Sequence, residues 1–260
     1  MKKSICVLAL AVAVSGSLLN TASLLASVAD DRIQSSAKQT YVFKRYLKAD
    51  KINVKSTEGD VTLSGTVAEE SHKNLAQDTV AGLPGVKSVD NKLTVKSEGP
   101  AAGSDAWITT KVKLTLLFHK NVNATGTEVT ASNGVVTLRG KAASSAQKDL
   151  TTEYAKDVEG VKSVSNEMTV PGSAKQGKTT ATAKMDALGE SIDDASTTAL
   201  VKATLFSHRS TSALNTGVVT KNGVVTLSGK AKNAAEKDLA EKIVSDVQGV
   251  QKVVNNITVG

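Results

Sequence analysis

The chain is poor in the residues that build most catalytic, metal and base-stacking sites. Its 260 positions include one cysteine, three histidines and 3% aromatic residues. A single cysteine excludes a disulfide framework and a thiolate metal cluster. So few aromatic residues leave little for stacking nucleic-acid bases or caging an aromatic ligand. We therefore expect no enzyme, no cofactor, no bound metal and no small-molecule substrate.

The first 29 residues are expected to be a signal peptide. Two lysines precede an apolar run at 5–14, and small residues then lead to Ala29, after which we expect cleavage. The run is shorter than the roughly 20 residues that span a bilayer. Cleavage would remove Cys6 and the two lysines, lowering the formal net charge from +7 to +5. We expect a soluble exported protein. It is expected to bind no nucleic acid, because this charge forms no dense basic stripe.

One pattern occurs three times, and we call the copies units 1, 2 and 3. Each has a glycine turn between two alternating segments, at 58–65 (EGDVTLSG), 133–140 (NGVVTLRG) and 222–229 (NGVVTLSG). A second glycine follows the turn glycine after 26 residues in every copy, from 59 to 85, 134 to 160 and 223 to 249. An interval held without insertion is typical of a folded repeat rather than of low complexity.

The same order of elements is expected in each unit. The Asn-Gly turns suit a two-residue β-hairpin, which requires positive φ at both positions. A helix with apolar residues spaced by four follows each hairpin, and a last strand ends the unit. Another helix precedes the hairpin; in unit 2 it opens on Ser104-Asp105, with Ile108, Val112 and Leu116 on one face. Helix, strand, strand, helix, strand predicts an α+β two-layer sandwich, two helices on one face of a three-stranded sheet.

These three copies resemble the BON domain. The resemblance implies an αββαβ fold, a location in the bacterial envelope, and binding of phospholipid or other envelope components rather than catalysis. We expect domains at 30–98, 99–171 and 191–260, with a flexible linker at 172–190. Many relatives carry two such domains and this chain has three, so the resemblance does not say which domain binds.

Unit 2 alone carries a second apolar stripe on its first helix. Trp107, Lys111, Leu114 and Phe118 fall at i, i+4, i+7 and i+11, about 100° around the helix from the core face, and Lys120 follows. Indole and phenyl rings beside lysines suit the boundary of an anionic bilayer. The segment also resembles the lipid-contacting first helix of the second domain in two-domain relatives. We expect these five residues to form a lipid-binding site.

Two interpretations of the stripe remain open. Its rings bind an anionic phospholipid surface, or Trp107 and Phe118 pack against a neighbouring unit. For the whole protein, the first interpretation predicts an envelope-binding protein that supports envelope integrity or osmotic-stress tolerance. The alternative is a soluble periplasmic chaperone or interaction scaffold whose partners are other exported proteins.

The few titratable side chains that could act chemically have simpler roles in this sequence. His119 and His208 occupy equivalent positions, each followed by a cation. We interpret both as residues at a helix carboxyl end, with a pH-sensing or headgroup role as the alternative. His72 is expected to be solvated. The pairs Asp30-Asp31 and Asp193-Asp194 are interpreted as helix caps rather than acid–base catalysts.

Overall fold

The computed structural model describes residues 19–96, 99–171, 192–211 and 215–260, with side chains from residue 27 onward. Most of the predicted signal peptide and the whole predicted linker at 172–190 lie outside the described residues. The backbone from residue 19 is helical and continues without a break past Ala29. Cleavage at that position and the flexibility of the linker both stay predictions.

Unit 1 has three helices and three strands because its first helix is interrupted. Its elements are α1 (Leu19–Gln39), α2 (Tyr41–Arg45), β1 (Lys51–Thr57), β2 (Asp60–Val67), α3 (Glu70–Ala81) and β3 (Ser88–Val95). Thr40 separates α1 from α2, and its hydroxyl accepts a hydrogen bond from the backbone N–H of Phe43 at 3.4 Å. A threonine that satisfies an N–H in this way begins a new helix.

Units 2 and 3 repeat the plan with one unbroken first helix each. Unit 2 consists of α4 (Asp105–Phe118), a short 3-10 helix (Ala124–Gly126), β4 (Thr127–Ser132), β5 (Val135–Gly140), α5 (Ser145–Lys156) and β6 (Ser163–Asn166). Unit 3 consists of α6 (Asp194–Ser207), β7 (Asn215–Lys221), β8 (Val224–Ala231), α7 (Ala234–Ser245) and β9 (Lys252–Val259).

Each unit folds its three strands into one sheet with the hairpin's second strand in the middle. In unit 2, Val129 of β4 lies opposite Leu138 of the antiparallel β5, and Val136 lies beside Val164 of the parallel β6. A parallel neighbour requires a crossover, and here the second helix supplies it. The predicted α+β class, three tandem αββαβ two-layer sandwiches, is confirmed.

An aspartate from the first helix holds the hairpin turn in every unit. Asp105 accepts hydrogen bonds from the backbone N–H groups of Asn133 at 2.7 Å and Gly134 at 2.8 Å. Asp30 and Asp194 make the equivalent bonds in units 1 and 3. Bonds to a carboxylate favour its charged form, and those from Gly134 and then Asn133 lower the pKa of Asp105.

The interpretation of these aspartates as helix caps is therefore wrong for Asp30 and Asp194. The cap of α6 is the preceding residue, Asp193, which accepts from the N–H of Ser196 at 2.8 Å. In α4 it is Ser104, which accepts from the N–H of Trp107 at 3.3 Å. The carboxylate of the next residue, Asp105 in α4 and Asp194 in α6, points away from the helix end and reaches the hairpin turn instead.

The hydrophobic core is divided unequally among the units. Unit 2 encloses a core of its own, whereas units 1 and 3 share a continuous one that also takes in Phe118 of unit 2. Helix α3 of unit 1 packs along α6 of unit 3. Gly82, at the end of α3, lies so close to Ala195 that an added Cβ would come within 3.1 Å of its Cα. The three units therefore pack against one another in this arrangement.

Candidate functional site

Helix α4 presents the stripe beside another face of the helix that is buried in the core of unit 2. Ser104 caps the helix, and Ile108, Val112 and Leu116 are each almost fully buried. The residues about 100° away are then free to meet other partners. The structure divides these residues into an open end and a buried end.

At the open end, the sole tryptophan forms a cluster with two rings around one ammonium group. Nζ of Lys111 lies 4.1 Å from the centroid of the Trp107 ring and 5.6 Å from that of Phe206 in unit 3. The same ammonium lies 3.3 Å from a carboxylate oxygen of Glu159. Trp107, Lys111 and Leu114 are half-buried, whereas the Phe206 side chain is 67% exposed. An amine between aromatic faces is a cation–π arrangement that an anionic group can approach.

At the other end, Phe118 is buried and the prediction that it faces outward is wrong. It is 3% exposed, and its ring meets Tyr46 of unit 1 edge to face, with centroids 5.6 Å apart. The stripe points there toward the shared core of units 1 and 3, which removes the ring from water. Phe118 thus follows the second interpretation, packing against a neighbouring unit.

Lys120 is also engaged by a neighbouring unit. Its Nζ donates to the backbone carbonyl oxygens of Ser245 at 2.6 Å and Val250 at 3.1 Å, both in unit 3. Ser245 is the last residue of α7 and Val250 follows the helix, so Lys120 lies at the helix carboxyl end, where the negative end of the helix dipole favours a cation. Of the five predicted site residues, the structure brings Trp107, Lys111 and Leu114 together at an accessible surface and places Phe118 and Lys120 in contacts between units.

A cleft of about 1310 Å³ opens beside this cluster. All three units line it: α3 contributes Asn74 and Asp78, α4 contributes the three accessible stripe residues, and α6 contributes Lys202 and Phe206. Lys202 donates to Asp78 across the cleft at 3.0 Å. Pockets that bind ligands are usually concave and mostly apolar with a few polar groups, and this cleft has that character.

The two equivalent histidines meet at the contact between units 2 and 3. His119 and His208 are each 1% exposed, and their Nε2 atoms lie 3.0 Å apart. Each Nδ1 faces an aspartate of the other unit: Asp157 lies 2.9 Å from His208, and Asp246 lies 3.4 Å from His119. The interpretation of these histidines as simple helix-end residues is incomplete, because both terminate their helices and also pair with each other.

The contact between units 2 and 3 is a pseudo-twofold arrangement. The backbone N–H of Lys120 donates to the carbonyl of Asp246 at 2.9 Å, and that of Arg209 donates to the carbonyl of Asp157 at 2.8 Å. Lys120 stands 89 residues before its equivalent Arg209, and Asp157 stands 89 residues before its equivalent Asp246. This surface was not anticipated, although the shared spacing of His-Lys and His-Arg in two of the three units was a signal for it.

His72 is paired rather than solvated. Its Nδ1 lies 2.6 Å from a carboxylate oxygen of Asp50, whose side chain is 1% exposed. The other oxygen of Asp50 accepts from the backbone N–H of Ala68 at 2.7 Å. The expectation that His72 is merely solvated is therefore wrong. His72 ties the loop before β1 to the start of α3.

Neither a metal centre nor a membrane span is present within the part of the chain that the structure describes. Its His, Cys, Asp and Glu residues form no group of three that could hold an ion. None of its helices combines the length and the apolar character needed to cross a bilayer.

Comparison with protein families settles the classification of this repeated sandwich. The BON domain model matches three times, at residues 29–97, 104–172 and 193–260. The chain belongs to the BON-domain family. Units 1, 2 and 3 are its BON domains 1, 2 and 3.

Several relatives share this family membership. The chain is 37% identical over 153 residues to osmotically-inducible protein Y of Escherichia coli, covering 59% of this chain and 71% of that protein. It is 39% identical over 116 residues to a 21 kDa hemolysin of Actinobacillus pleuropneumoniae, covering 44% and 59%. It is 31% identical over 138 residues to the outer membrane lipoprotein DolP of Haemophilus influenzae, covering 52% and 71%. None of these names is that of an enzyme.

BON domain 1 differs from the other two where they contact each other. At the positions of the paired histidines and aspartates it has Lys44 and Gly82. It joins BON domain 3 through other groups: the N–H of Tyr41 donates to Asp193 at 2.8 Å, and that of Val42 donates to the hydroxyl of Ser196 at 3.0 Å. The repeats therefore share a fold but use different surfaces for assembly.

Proposed function

We propose that this protein is a non-catalytic periplasmic protein that supports envelope integrity under osmotic stress. It docks on anionic phospholipid through BON domain 2 together with the adjoining Phe206 of BON domain 3. The observation that carries the proposal is the cluster of Trp107, Lys111 and exposed Phe206 at an open surface. The names of two relatives, one osmotically inducible and one an outer membrane lipoprotein, support the envelope setting.

The chemistry of the cluster suits a bilayer surface. Entry of an exposed phenyl ring and a half-buried indole into the headgroup region lowers the free energy, because this region accommodates amphipathic rings. A lysine near an anionic membrane surface contributes on the order of 1 kcal/mol. Because Phe118 is buried, the docking surface of this proposal consists of Trp107, Lys111, Leu114 and Phe206.

Glu159 competes with the lipid for the same ammonium group. Its side chain is 67% exposed, and that of Lys111 is 20% exposed. An exposed pair of this kind contributes about 0–1 kcal/mol, so a phosphate headgroup is able to replace the carboxylate. Removal of the carboxylate should therefore strengthen docking, whereas reversal of the lysine charge should weaken it.

The test is flotation of the full chain with vesicles of phosphatidylglycerol and phosphatidylcholine, compared with phosphatidylcholine alone. Trp107→Ala and Lys111→Glu should reduce the floated fraction, and Glu159→Gln should increase it. Lys113→Glu is the matched control because it makes the same charge change at an exposed position of α4 off the stripe. Binding should also weaken with added salt. Equal flotation of Lys111→Glu and Lys113→Glu would reject the site.

The cleft supports a second candidate function, a chaperone or interaction scaffold for exported proteins. Its volume of about 1310 Å³ and its walls from all three BON domains suit an apolar segment of another chain. In that case the protein should suppress aggregation of an unfolded client without lipid, and Leu114→Asp should abolish the effect. Client protection that is unchanged by Leu114→Asp would exclude the cleft as the site.

A further inference from the structure

The contact between BON domains 2 and 3 contains a buried group of ionisable side chains that no binding role uses. His119 and His208 meet at its centre, the Tyr154 ring stacks on His119 with centroids 3.7 Å apart, and Asp157 and Asp246 flank the pair. Histidine is the side chain whose charge changes between about pH 5 and 8. A buried pair of histidines at a domain contact therefore has a defined response to acid.

The hydrogen bonds fix where the protons are. Nδ1 of His208 lies 2.9 Å from a carboxylate oxygen of Asp157, so this nitrogen carries a proton and donates. Nε2 of a neutral His208 is then an acceptor, and Nε2 of His119, at 3.0 Å, must be the donor. Nδ1 of His119 is left without a proton, and among the described residues it has no hydrogen-bond partner.

This arrangement accepts one additional proton and no more. A proton on Nδ1 of His119 would face Asp246, whose nearer oxygen lies 3.4 Å away and accepts from the Tyr154 hydroxyl at 2.6 Å. A second added proton, on Nε2 of His208, would place two N–H groups against each other across 3.0 Å. No acceptor faces that second proton, and two imidazolium charges would repel in a site that excludes water.

The surrounding charges do not remove this limit. Asp246 also accepts from the Asn121 amide, and Asp157 accepts from the hydroxyl of Ser210, so both carboxylates are already bonded. Burial raises the pKa of Tyr154, which keeps its hydroxyl neutral. Further charged groups lie at the margin of the contact, on α5, on α7 and just after α4 and α6: Lys120, Glu153, Lys156, Arg209 and Lys242.

We propose that the histidine pair is an acid-released latch between BON domains 2 and 3. At neutral pH the hydrogen bonds of the pair hold the contact between the two domains closed. As the pH falls, the separated domains bind two protons at these histidines, whereas the closed contact binds at most one. Protonation therefore favours the open state, and BON domain 1, with Lys44 and Gly82 at the corresponding positions, has no equivalent latch.

The direction in which the pKa of His119 is shifted agrees with this geometry. Burial lowers it from the ordinary 6.5, and Asp246 offsets only part of that effect. A group whose pKa is lower in the closed state stabilises that state above the ordinary value and loses the contribution as the pH falls below it. Each proton taken up on opening changes the open-to-closed ratio tenfold per pH unit. Because a histidine of ordinary pKa 6.5 is already half protonated at pH 6.5, one to two such protons change the ratio about 15-fold to about 250-fold between pH 6.5 and 5.

Amide hydrogen exchange of the full chain measures this ratio directly, even when the open state is rare. The N–H groups of Lys120 and Arg209 bridge the two domains, whereas those of Lys162 and Gln251 make the same kind of bond inside domains 2 and 3. After correction for the intrinsic pH dependence, protection at Lys120 and Arg209 should fall at least about 15-fold between pH 6.5 and 5. Protection at the two internal amides should fall much less.

Two variants complete the test. His119→Gln/His208→Gln should abolish the pH dependence at the bridging amides, and His72→Gln, which changes the histidine of domain 1, should preserve it. If the double variant is open at every pH, its bridging amides exchange freely at every pH. The proposal is then tested by the wild type alone, from the difference in pH dependence between its bridging and its internal amides. Protection that stays constant from pH 8 to 5, or that falls equally in the closed double variant, would overturn the latch.

Discussion

Replacement of Phe118 by alanine tests whether this ring belongs to the core or to a lipid-facing surface. The ring is 3% exposed and packs into the core that domains 1 and 3 share. Truncation of a phenylalanine in such a place costs about 3–5 kcal/mol. The edge-to-face contact with Tyr46, at 5.6 Å between centroids, accounts for about 0.5–1.5 kcal/mol of that loss.

Phe206→Ala is the matched control for this experiment. It removes the same side chain from a position that is 67% exposed, so the free energy of unfolding should change by no more than about 0.5 kcal/mol. Urea unfolding followed by circular dichroism gives both values. A double-mutant cycle between Phe118→Ala and Tyr46→Leu isolates the ring contact. Equal midpoints for the two phenylalanine variants would refute the burial of Phe118 and return it to the docking surface.

Two further predictions concern the repeated sandwich itself. In Asp105→Asn the turn loses its carboxylate; because the pKa of Asp105 is lowered in the fold, its stabilisation is present above about pH 4 and is lost as the pH falls through the lowered value. Thermal melts between pH 5 and 2.5 should thus be less pH-dependent in the variant, and parallel curves would contradict this role. Gly59→Ala places a Cβ 2.6 Å from the carbonyl oxygen of Gly85 at a φ of +87° and should cost about 1–3 kcal/mol. Gly99→Ala, where no atom of the described residues lies within 4 Å of the added Cβ, should cost almost nothing, and equal losses would disprove the crowding.

The repeated elements were predictable because local rules specify them three times. Asn133 and Asn222 adopt φ of 54° and 51°, as a two-residue hairpin turn requires, and even the less favourable Glu58 adopts 56°. Ser104 caps its helix as the sequence indicated. The role of Asp105 was harder to assign, because adjacent polar residues at a helix start are both plausible caps. Only the fold shows that the second of them faces the turn.

The environment of the stripe could not be predicted because it depends on how the domains pack. Helical spacing places Phe118 on the same face as Trp107, but it carries no information on whether Tyr46 covers that face. The same holds for His119 and His208, whose partners Asp157 and Asp246 lie in the opposite domain. Periodicity describes one helix at a time, whereas burial between domains arises from pairs of surfaces that are distant in sequence.

Quenching of Trp107 by brominated phospholipid measures the proposed docking most directly. The chain contains one tryptophan, so its emission reports a single position without labelling. With vesicles that contain phosphatidylglycerol, lipids brominated near the headgroup should quench this emission more than lipids brominated deep in the acyl chain. Vesicles of phosphatidylcholine alone should leave it unchanged. If the protein floats with anionic vesicles while Trp107 stays unquenched at every bromine depth, the membrane contact lies elsewhere and the proposed docking surface is wrong.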